Sequence, residues 1–316
     1  MGFAKITGTG VYIPEKILSN KDLESLVDTS DEWIKARTGI SERRILDEDK
    51  ATSDMCYEAC LQALENSSTN PDEIDGIIVA TISPDYMTPS VACLLQERLN
   101  TRKIFAFDVS AGCSGFIYCL NIAKAMIENG QTKKLLIAGA ENLSKIVDYT
   151  DRGTCILFGD GAGAVVIEES DSPGIMSVCL GSSGKEAELL YTPGGGSKDP
   201  NGSRFLVMHG KEVFKEAVKV IQSNSLEAIE AANIKPSDID LFIPHQANMR
   251  IIEAARERLD LPIEKCFVNI EKYGNTSSAS VLLALHEALE ESRIKKGDNI
   301  LSVSYTHLTL PTNREV

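Results

Sequence analysis

Short apolar runs alternate along the chain with longer segments in which apolar residues recur at helical spacing. The runs have the length of buried strands and occupy 77–82, 104–109, 135–138, 164–167, 241–243 and 300–303. The main helical segments span 53–65, 114–128, 212–232 and 277–290. Strands that are apolar on both faces and are separated by helices predict a mixed α/β fold whose sheets are covered on both sides.

The sequence also matches itself at an offset of 165 residues. PDEIDGIIVA at 71–80 falls on PSDIDLFIPH at 236–245, and the run at 135–140 falls on 300–305. Several matches in one register indicate a duplication. We therefore predict two similar halves, 1–172 and 173–305, whose sheets pack around shared helices so that equivalent loops meet at one site.

Charge and composition exclude several classes of function. A formal net charge of −14 argues against binding to a nucleic acid backbone, which requires clustered Lys and Arg. The N-terminus turns polar before a signal peptide could form, and no apolar stretch reaches the ~20 residues that span a bilayer. The eight cysteines lie mostly inside apolar runs and show no zinc-binding pattern. These features predict a soluble, cytoplasmic protein with no membrane association and no metal site.

The first candidate for chemistry is Cys113, which lies between the predicted strand at 104–109 and the helix that begins at 114. The positive end of a helix favours a thiolate over a thiol. Small neighbours such as Gly112 and Gly115 leave room for a substrate carbonyl. A cysteine beside an apolar helix is more often a small core residue, so both interpretations stay open for Cys113 taken alone.

Two polar residues of the second half occupy comparable turns. His245 follows the predicted strand at 241–243, and Asn275 follows an apolar run at 267–270 that we also predict to be a strand. Asn275 could equally serve only as a helix N-cap. However, Cys113, His245 and Asn275 all lie beyond the carboxyl ends of predicted strands, where α/β proteins place their sites. We therefore predict that the three residues meet.

Six ordered motifs between about residues 6 and 305 make the chain resemble the β-ketoacyl-acyl carrier protein synthase III family of the thiolase superfamily. They are TSDEWIKARTG (29–39), the Cys113 turn, DRGT (151–154), FGDGAG (158–163), PHQAN (244–248) and YGNTS (273–277). The resemblance implies a thiolase-like duplicated fold in which two similar halves form a layered α-β-α-β-α sandwich. It also implies a homodimer.

The resemblance further implies an acyltransferase that begins type II fatty acid synthesis by a decarboxylative Claisen condensation. Cys113 would take the acyl group from an acyl-CoA primer, and malonyl-acyl carrier protein would then lose CO₂ to give an enolate. His245 and Asn275 would donate hydrogen bonds to the enolate oxygen. The product would be 3-oxoacyl-acyl carrier protein, and no cofactor would be required. Thiolases have a His in the third loop and elongating synthases use two His, so Asn275 fits the initiating class.

By resemblance, a set of residues would bind the acyl-CoA substrate. Trp33 and Arg152 would enclose the adenine, Arg37 would contact a phosphate, and Phe214 and Asn248 would lie along the pantetheine tunnel. Thr88 would shape the acyl pocket. Taken singly, Trp33 could be a packing residue and the two arginines could be solvated surface residues.

A row of lysines is a candidate docking surface for the acidic carrier protein. Lys211, Lys215 and Lys219, here named the basic stripe, recur at i+4 steps on one predicted helix. Arg250 begins the helix that follows His245. We predict that Arg250 and part of the basic stripe hold the carrier at the tunnel mouth, although a solvated helix face would show the same pattern.

Two segments need a separate interpretation. FGDGAG at 158–163 looks like a dinucleotide-binding loop but leads into a predicted strand, so we expect close backbone packing there and no nucleotide. Residues 306–316 contain no glycine, whereas the family has a Gly-rich loop there that supplies one N–H of the oxyanion hole. We expect this tail to be foreign.

Other functions fit part of the pattern. A related condensing enzyme could use a carrier of secondary metabolism, or could make a 3-hydroxy-3-methylglutaryl thioester with a Glu base that no motif here supplies. A non-catalytic binder of carrier protein would fit the altered tail. An acyl group trapped on Cys113 would distinguish an enzyme from such a binder.

Overall fold

The computed structural model describes residues 2–305, so the tail at 306–316 lies outside the described residues. The strands are β1 Phe3–Tyr12, β2 Lys16–Ser19, β3 Glu42–Ile45, β4 Gly76–Ala80, β5 Phe105–Val109, β6 Lys134–Glu141, β7 Gly161–Ser170, β8 Leu190–Tyr191, β9 Val207–Met208, β10 Leu241–Pro244 and β11 Ile300–Val303. The helices are α1 Asn20–Leu23, α2 Asp31–Thr38, α3 Thr52–Asn66, α4 Val91–Arg98, α5 Gly115–Glu128, α6 Arg152–Cys155, α7 Gly210–Ala231, α8 Met249–Arg258, α9 Ile270–Tyr273 and α10 Ser280–Glu290.

The sheet of the first half has five strands in the order β1-β7-β6-β4-β5. β4 runs parallel to β5 and β6, whereas β7 is antiparallel to β6 and β1. Every residue of β4 is buried because α3 covers one face of the sheet and α5 covers the other. Burial on both faces accounts for the continuous apolar run in this strand.

The second half repeats the strand pairing of the first. β10 and β11 are parallel, and each residue pair between them corresponds to a pair between β4 and β6 with both residue numbers raised by 165. Leu241 pairs with Ile300, just as Gly76 pairs with Leu135. The aspartate before each first strand accepts a hydrogen bond from a backbone amide at the start of its partner strand: Asp75 from Lys134, and Asp240 from Asn299. This agreement supports a duplication, while the boundary at residue 172 stays a prediction.

Helices and sheets alternate in five layers. α5 and α10 lie in the middle and pack against both sheets, contacting Ile78 of β4 and Ile243 of β10 in one core cluster. α3 and α4 cover the outer face of the first sheet, and α7 and α8 cover the outer face of β10 and β11. The predicted α-β-α-β-α sandwich is therefore confirmed.

The middle layer approaches the first sheet at a pair of glycines. Gly139 on β6 and Gly163 on β7 are cross-strand partners. A Cβ on Gly163 would lie 2.3 Å from the Cβ of Leu282, and one on Gly139 would lie 2.5 Å from the carbonyl oxygen of Ser278. Glycine at both positions lets α10 and the turn before it sit directly on the sheet.

The predicted strand at 267–270 is wrong. The structure has a single bridge there, between Phe242 and Cys266, and α9 begins at Ile270. The reason is the Gln246 side chain, which donates to the Phe267 carbonyl and accepts from the Asn269 amide. A side chain thus forms the hydrogen bonds to this backbone that a neighbouring strand would otherwise form.

No helix within residues 2–305 is both long enough and apolar enough to cross a membrane.

Candidate active site

Cys113 lies in the short turn Gly112–Ser114 between β5 and α5 and is 8% exposed. Gly112 has a φ of 52°, a conformation that residues with a side chain rarely adopt. A Cβ on Gly115 would lie 2.7 Å from the Cβ of Ala80, so the first residue of α5 packs closely against the end of β4. The thiol is thereby fixed at the amino end of a 14-residue helix, whose peptide dipoles stabilise negative charge.

His245 directly follows β10 and is 1% exposed. Its Nδ1 lies 2.5 Å from the Ser280 hydroxyl, which in turn lies 3.4 Å from the amide nitrogen of Gln246. A hydroxyl can accept from that amide and at the same time donate its own proton to Nδ1, and we assign Ser280 this role, which places the ring proton on Nε2. Burial lowers the pKa of the imidazole to about 3, so the ring is neutral near pH 7.

The Nε2 atom of His245 is the unsatisfied group of the site. It is buried and has no hydrogen-bond partner in the part of the chain that the structure describes. A buried N–H without an acceptor costs about 1–3 kcal/mol, and such groups require an explanation. An oxygen of a bound substrate would supply the missing acceptor.

Asn275 is held by both its backbone and its side chain. Its amide donates to the Leu157 carbonyl at 2.8 Å, and its carbonyl accepts from the Gly159 amide at 3.0 Å. Its Oδ1 accepts from the Ser277 amide at 2.8 Å, which orients the side chain so that Nδ2 is left to donate. Because α10 begins only at Ser280, Asn275 is not the N-cap of that helix.

One segment of the second half brings these groups together. We name residues 275–280 the Asn275 loop. A Cβ on Gly115 would lie 3.6 Å from the Cβ of Ser278, so the turn that carries Cys113 touches this loop. Ser280, its last residue, holds His245. The structure therefore brings Cys113, His245 and Asn275 to one site, although their roles stay predictions.

The residues predicted to bind coenzyme A form a second cluster. The guanidinium carbons of Arg37 and Arg152 lie 5.1 Å and 4.9 Å from the ring centre of Trp33. Asn248 caps α8 through its Oδ1 and donates its Nδ2 to the Arg37 carbonyl at 3.1 Å. Trp33 is only half-buried, so a planar base could reach its ring.

The predicted carrier surface lies on α7 and α8. All three lysines of the basic stripe are exposed, and Lys219 is paired with Glu216 at 2.7 Å. The guanidinium of Arg250 on α8 lies 5.3 Å from the ring centre of Phe214 on α7. This contact links the two helices at Phe214, which we predict to line the pantetheine tunnel. Thr88 is exposed on the loop between β4 and α4.

The FGDGAG segment lies directly behind the site. A Cβ on Gly159 would be 2.5 Å from the Tyr273 carbonyl oxygen, and one on Gly274 would be 2.7 Å from the Leu157 carbonyl oxygen. Gly274 also has a φ of 64°. The close backbone packing expected from the sequence is therefore present, and it fixes the start of the Asn275 loop.

Sequence reasoning missed two residues that support the site. Ser280 orients His245, and Glu141 binds the Asn275 loop with a fully buried carboxylate. The only available signal for Glu141 was an acidic residue at the end of the apolar run 135–140. Within residues 2–305, no group of three or more His, Cys, Asp or Glu side chains could hold a metal ion.

Comparisons with known proteins agree with this geometry. Residues 107–184 match the family model of 3-oxoacyl-[acyl-carrier-protein] synthase III, and residues 229–307 match the model of its C-terminal part. The chain is 52% identical over 310 residues to the β-ketoacyl-[acyl-carrier-protein] synthase III of Caldanaerobacter subterraneus subsp. tengcongensis, covering 96% of this chain and 94% of the relative. It is 50% identical over 298 residues to that of Aquifex aeolicus, covering 94% of both.

A solved structure has the same fold over nearly the whole length. The β-ketoacyl-[acyl carrier protein] synthase III of Thermus thermophilus superposes with a TM-score of 0.92 at 46% identity. The superposition covers 97% of this chain and 99% of that chain.

Proposed function

The chain belongs to the 3-oxoacyl-[acyl-carrier-protein] synthase III family, the initiating condensing enzymes of fatty acid synthesis, and we propose that Cys113, His245 and Asn275 carry out its reaction. The observation that carries this proposal is the buried Nε2 of His245, which has no hydrogen-bond partner among residues 2–305 and belongs to the same site as the Asn275 side chain. The acyltransferase reaction joins an acyl-CoA primer to malonyl-acyl carrier protein.

The first half of the reaction transfers the acyl group to the enzyme. The Cys113 sulfur attacks the thioester carbonyl of acyl-CoA, a new carbon–sulfur bond forms, and the bond to the CoA sulfur breaks. CoA leaves as a thiol with the proton that Cys113 gives up. The amino end of α5 stabilises the attacking thiolate, and the product is an acyl-Cys113 thioester.

The second half builds the new carbon–carbon bond. Malonyl-carrier loses CO₂, and the electron pair of the broken bond becomes an enolate whose negative charge lies on the thioester oxygen. His245 Nε2 and Asn275 Nδ2 donate to that oxygen, which is stabilised because both donors are fixed before the charge develops. The enolate carbon attacks the acyl-Cys113 carbonyl, the carbon–sulfur bond breaks, and 3-oxoacyl-carrier leaves. No step requires a metal or another cofactor.

The clusters around the site suggest how the substrates bind. Trp33 with Arg152 and Arg37 would hold the adenine and a phosphate of CoA, and Asn248 with Phe214 would line the path of the pantetheine arm. Arg250 and the basic stripe would bind the acidic carrier.

We further propose a cytoplasmic homodimer. β5 is one of the two edge strands of its sheet and carries Phe107, which is 37% exposed. Tyr86 and Met87, 60% and 87% exposed, lie on the loop before α4, which packs on β5. An open strand edge next to exposed apolar side chains is suited to pairing with a second copy. Thr88, next to Met87, would then face the acyl pocket of the partner.

Intact-mass spectrometry tests the proposed function. The chain is mixed with acetyl-CoA and with longer or branched acyl-CoAs, and then with malonyl-carrier. We expect a mass gain of one acyl group that is absent in Cys113→Ala and is discharged by malonyl-carrier. In Asn275→Ala the acyl group should still load but should be discharged at least about a hundredfold more slowly. A chain that gains no mass with any primer would contradict the proposal.

A further inference from the structure

Glu141 is a buried acid that the condensation does not use. It is the last residue of β6, at the carboxyl end of the strand between β4 and β7, and it is 0% exposed. A carboxylate in such a place is costly unless hydrogen bonds replace its water. Burial is the main influence on its pKa, which is raised to about 6, and hydrogen bonds to Ser83, Ile82, Ser278 and Ser277 oppose that rise.

The two oxygens of Glu141 bind different halves of the molecule. Oε2 accepts from the segment that follows β4 in the first half, namely from the Ser83 hydroxyl at 2.6 Å, the Ile82 amide at 3.1 Å and the Thr81 hydroxyl at 3.4 Å. Oε1 accepts from the Asn275 loop of the second half, namely from the hydroxyls of Ser278 at 2.9 Å and Ser277 at 3.2 Å. One carboxylate therefore ties the Asn275 loop to the first sheet.

Ser277 connects this carboxylate to the predicted enolate donor. Its hydroxyl donates to Glu141, and its backbone amide donates to the Asn275 Oδ1 at 2.8 Å. Ser277 has a φ of 49°, a left-handed conformation that is unfavourable for a residue with a side chain. The bond to Glu141 helps to hold the residue in that conformation, in which its amide points to Asn275.

We propose that Glu141 is a positioning residue for the condensation half-reaction, acting through Ser277 to hold the Asn275 amide at the enolate oxygen. The inference rests on the proposed function, since it assumes that Asn275 donates to the enolate. The Cys113 turn is held by Gly112 and by the contact of Gly115 with Ala80, and no hydrogen bond of Glu141 goes to residues 112–115. We therefore expect acyl transfer to Cys113 to depend on Glu141 much less than condensation does.

The test separates the two half-reactions in Glu141→Gln. Glutamine keeps the shape of the side chain, but its amide group replaces one acceptor by a donor that faces other donors. Loading of Cys113 from acetyl-CoA is followed by mass, and discharge of the loaded enzyme is followed at saturating malonyl-carrier. We expect loading within about twofold of wild type and discharge slower by about tenfold to a hundredfold. The Michaelis constant for malonyl-carrier should change little.

Two further variants make the result specific. Asp75→Asn removes a carboxylate that binds the amides of Lys133 and Lys134 at the other end of β6, and it should leave the ratio of the two rates unchanged. In an Asn275→Ala background, Glu141→Gln should slow discharge by less than about threefold further, because the group it positions is gone.

Each outcome supports or overturns the inference. Equal losses in loading and discharge, an unchanged discharge rate, or full additivity with Asn275→Ala would overturn it. Should Glu141→Gln not fold, Ser277→Ala decides: it removes one hydroxyl bond to Glu141 and should slow discharge alone by about fivefold. A wild-type chain that does not load, or an Asn275→Ala chain that discharges normally, would instead refute the proposed function.

Discussion

His245 is buried, and its Nε2 has no hydrogen-bond partner among the described residues. Burial determines its protonation state, and the unpartnered nitrogen supports the role that we propose for it. Burial disfavours the charged form of the imidazole and keeps the ring neutral. A neutral ring can still donate one hydrogen bond, and Ser280 fixes which nitrogen does so. The same burial therefore keeps His245 in the form that our proposal requires of an enolate donor, and it makes the stability of the fold depend on pH.

The pH dependence of stability tests this state of His245. In the unfolded chain the ring takes a proton below about pH 6.5, whereas the folded ring does so only near pH 3. Above pH 6.5 the residue adds no pH dependence, and between 6.5 and 3 it lowers the free energy of unfolding as the pH falls. At pH 5 the loss is about 2 kcal/mol. Between pH 7.5 and 5.0, the free energy of unfolding measured with urea should fall by about 2 kcal/mol more in wild type than in His245→Asn.

The change in the free energy of unfolding must be compared between wild type and His245→Asn, because Glu141 adds a pH dependence of the opposite sign. Burial raises its pKa to about 6, so it stabilises the fold below its unfolded value of 4.5 and loses that contribution as the pH rises through 6. Both proteins keep Glu141, and its contribution cancels. An equal fall in stability in His245→Asn would show that His245 is not a buried neutral ring.

At the scale of elements, the site depends on how closely α10 approaches the first sheet. The Asn275 loop leads directly into α10, and the glycine pair on β6 and β7 leaves no side chain between that helix and the strands. Glu141 lies at the end of β6, two residues beyond Gly139. Packing and hydrogen bonding at one strand end thus fix the height of the loop above the sheet.

Gly163→Ala should destabilise the protein and impair condensation together. The added Cβ would lie 2.3 Å from the Cβ of Leu282, and overpacking of this kind costs about 1–3 kcal/mol. Thermal unfolding and the rate of discharge of acyl-Cys113 measure the two effects. Gly184→Ala is the matched control, since a Cβ there meets nothing within 4 Å and both quantities should stay unchanged. A Gly163→Ala protein with wild-type stability would show that α10 can move away at no cost.

Charge reversal on α7 tests the carrier surface. Lys215→Glu should raise the Michaelis constant for malonyl-carrier by about fivefold, because a rim charge changes the rate of encounter with an acidic partner. The constant for acyl-CoA should not change. Lys296→Glu is a matched control: it makes the same change on an exposed lysine at the amino end of β11, away from the strand ends that carry the site. An equal response in both variants would mean that only the net charge matters.

For the whole molecule, the sequence predicted the buried strands and the duplication because both leave local patterns, and the parallel pairing of β10 with β11 has the predicted offset. β1 was missed because its polar and glycine positions interrupt any apolar run. The prediction of a strand at 267–270 was wrong because the side chain of Gln246 forms hydrogen bonds with the backbone of this segment in place of a neighbouring strand. Glu141 and Ser280 could not be assigned, since their partners lie more than 30 residues away in sequence and depend on how the halves meet.

The assembly of two copies is testable at the open edge of the first sheet. Light scattering coupled to size exclusion should give twice the mass of one chain. Phe107→Lys places a charge on the edge strand, which opposes pairing with another strand, and should shift the protein to the mass of a single chain. Leu226→Lys makes the same change at a side chain on α7 that is 43% exposed, and it should leave the dimer intact. Since Thr88 lies on the loop beside this edge, loss of the dimer should also change the preference among acyl primers. A monomeric wild-type chain that loads and condenses normally would show that each site is complete within one copy.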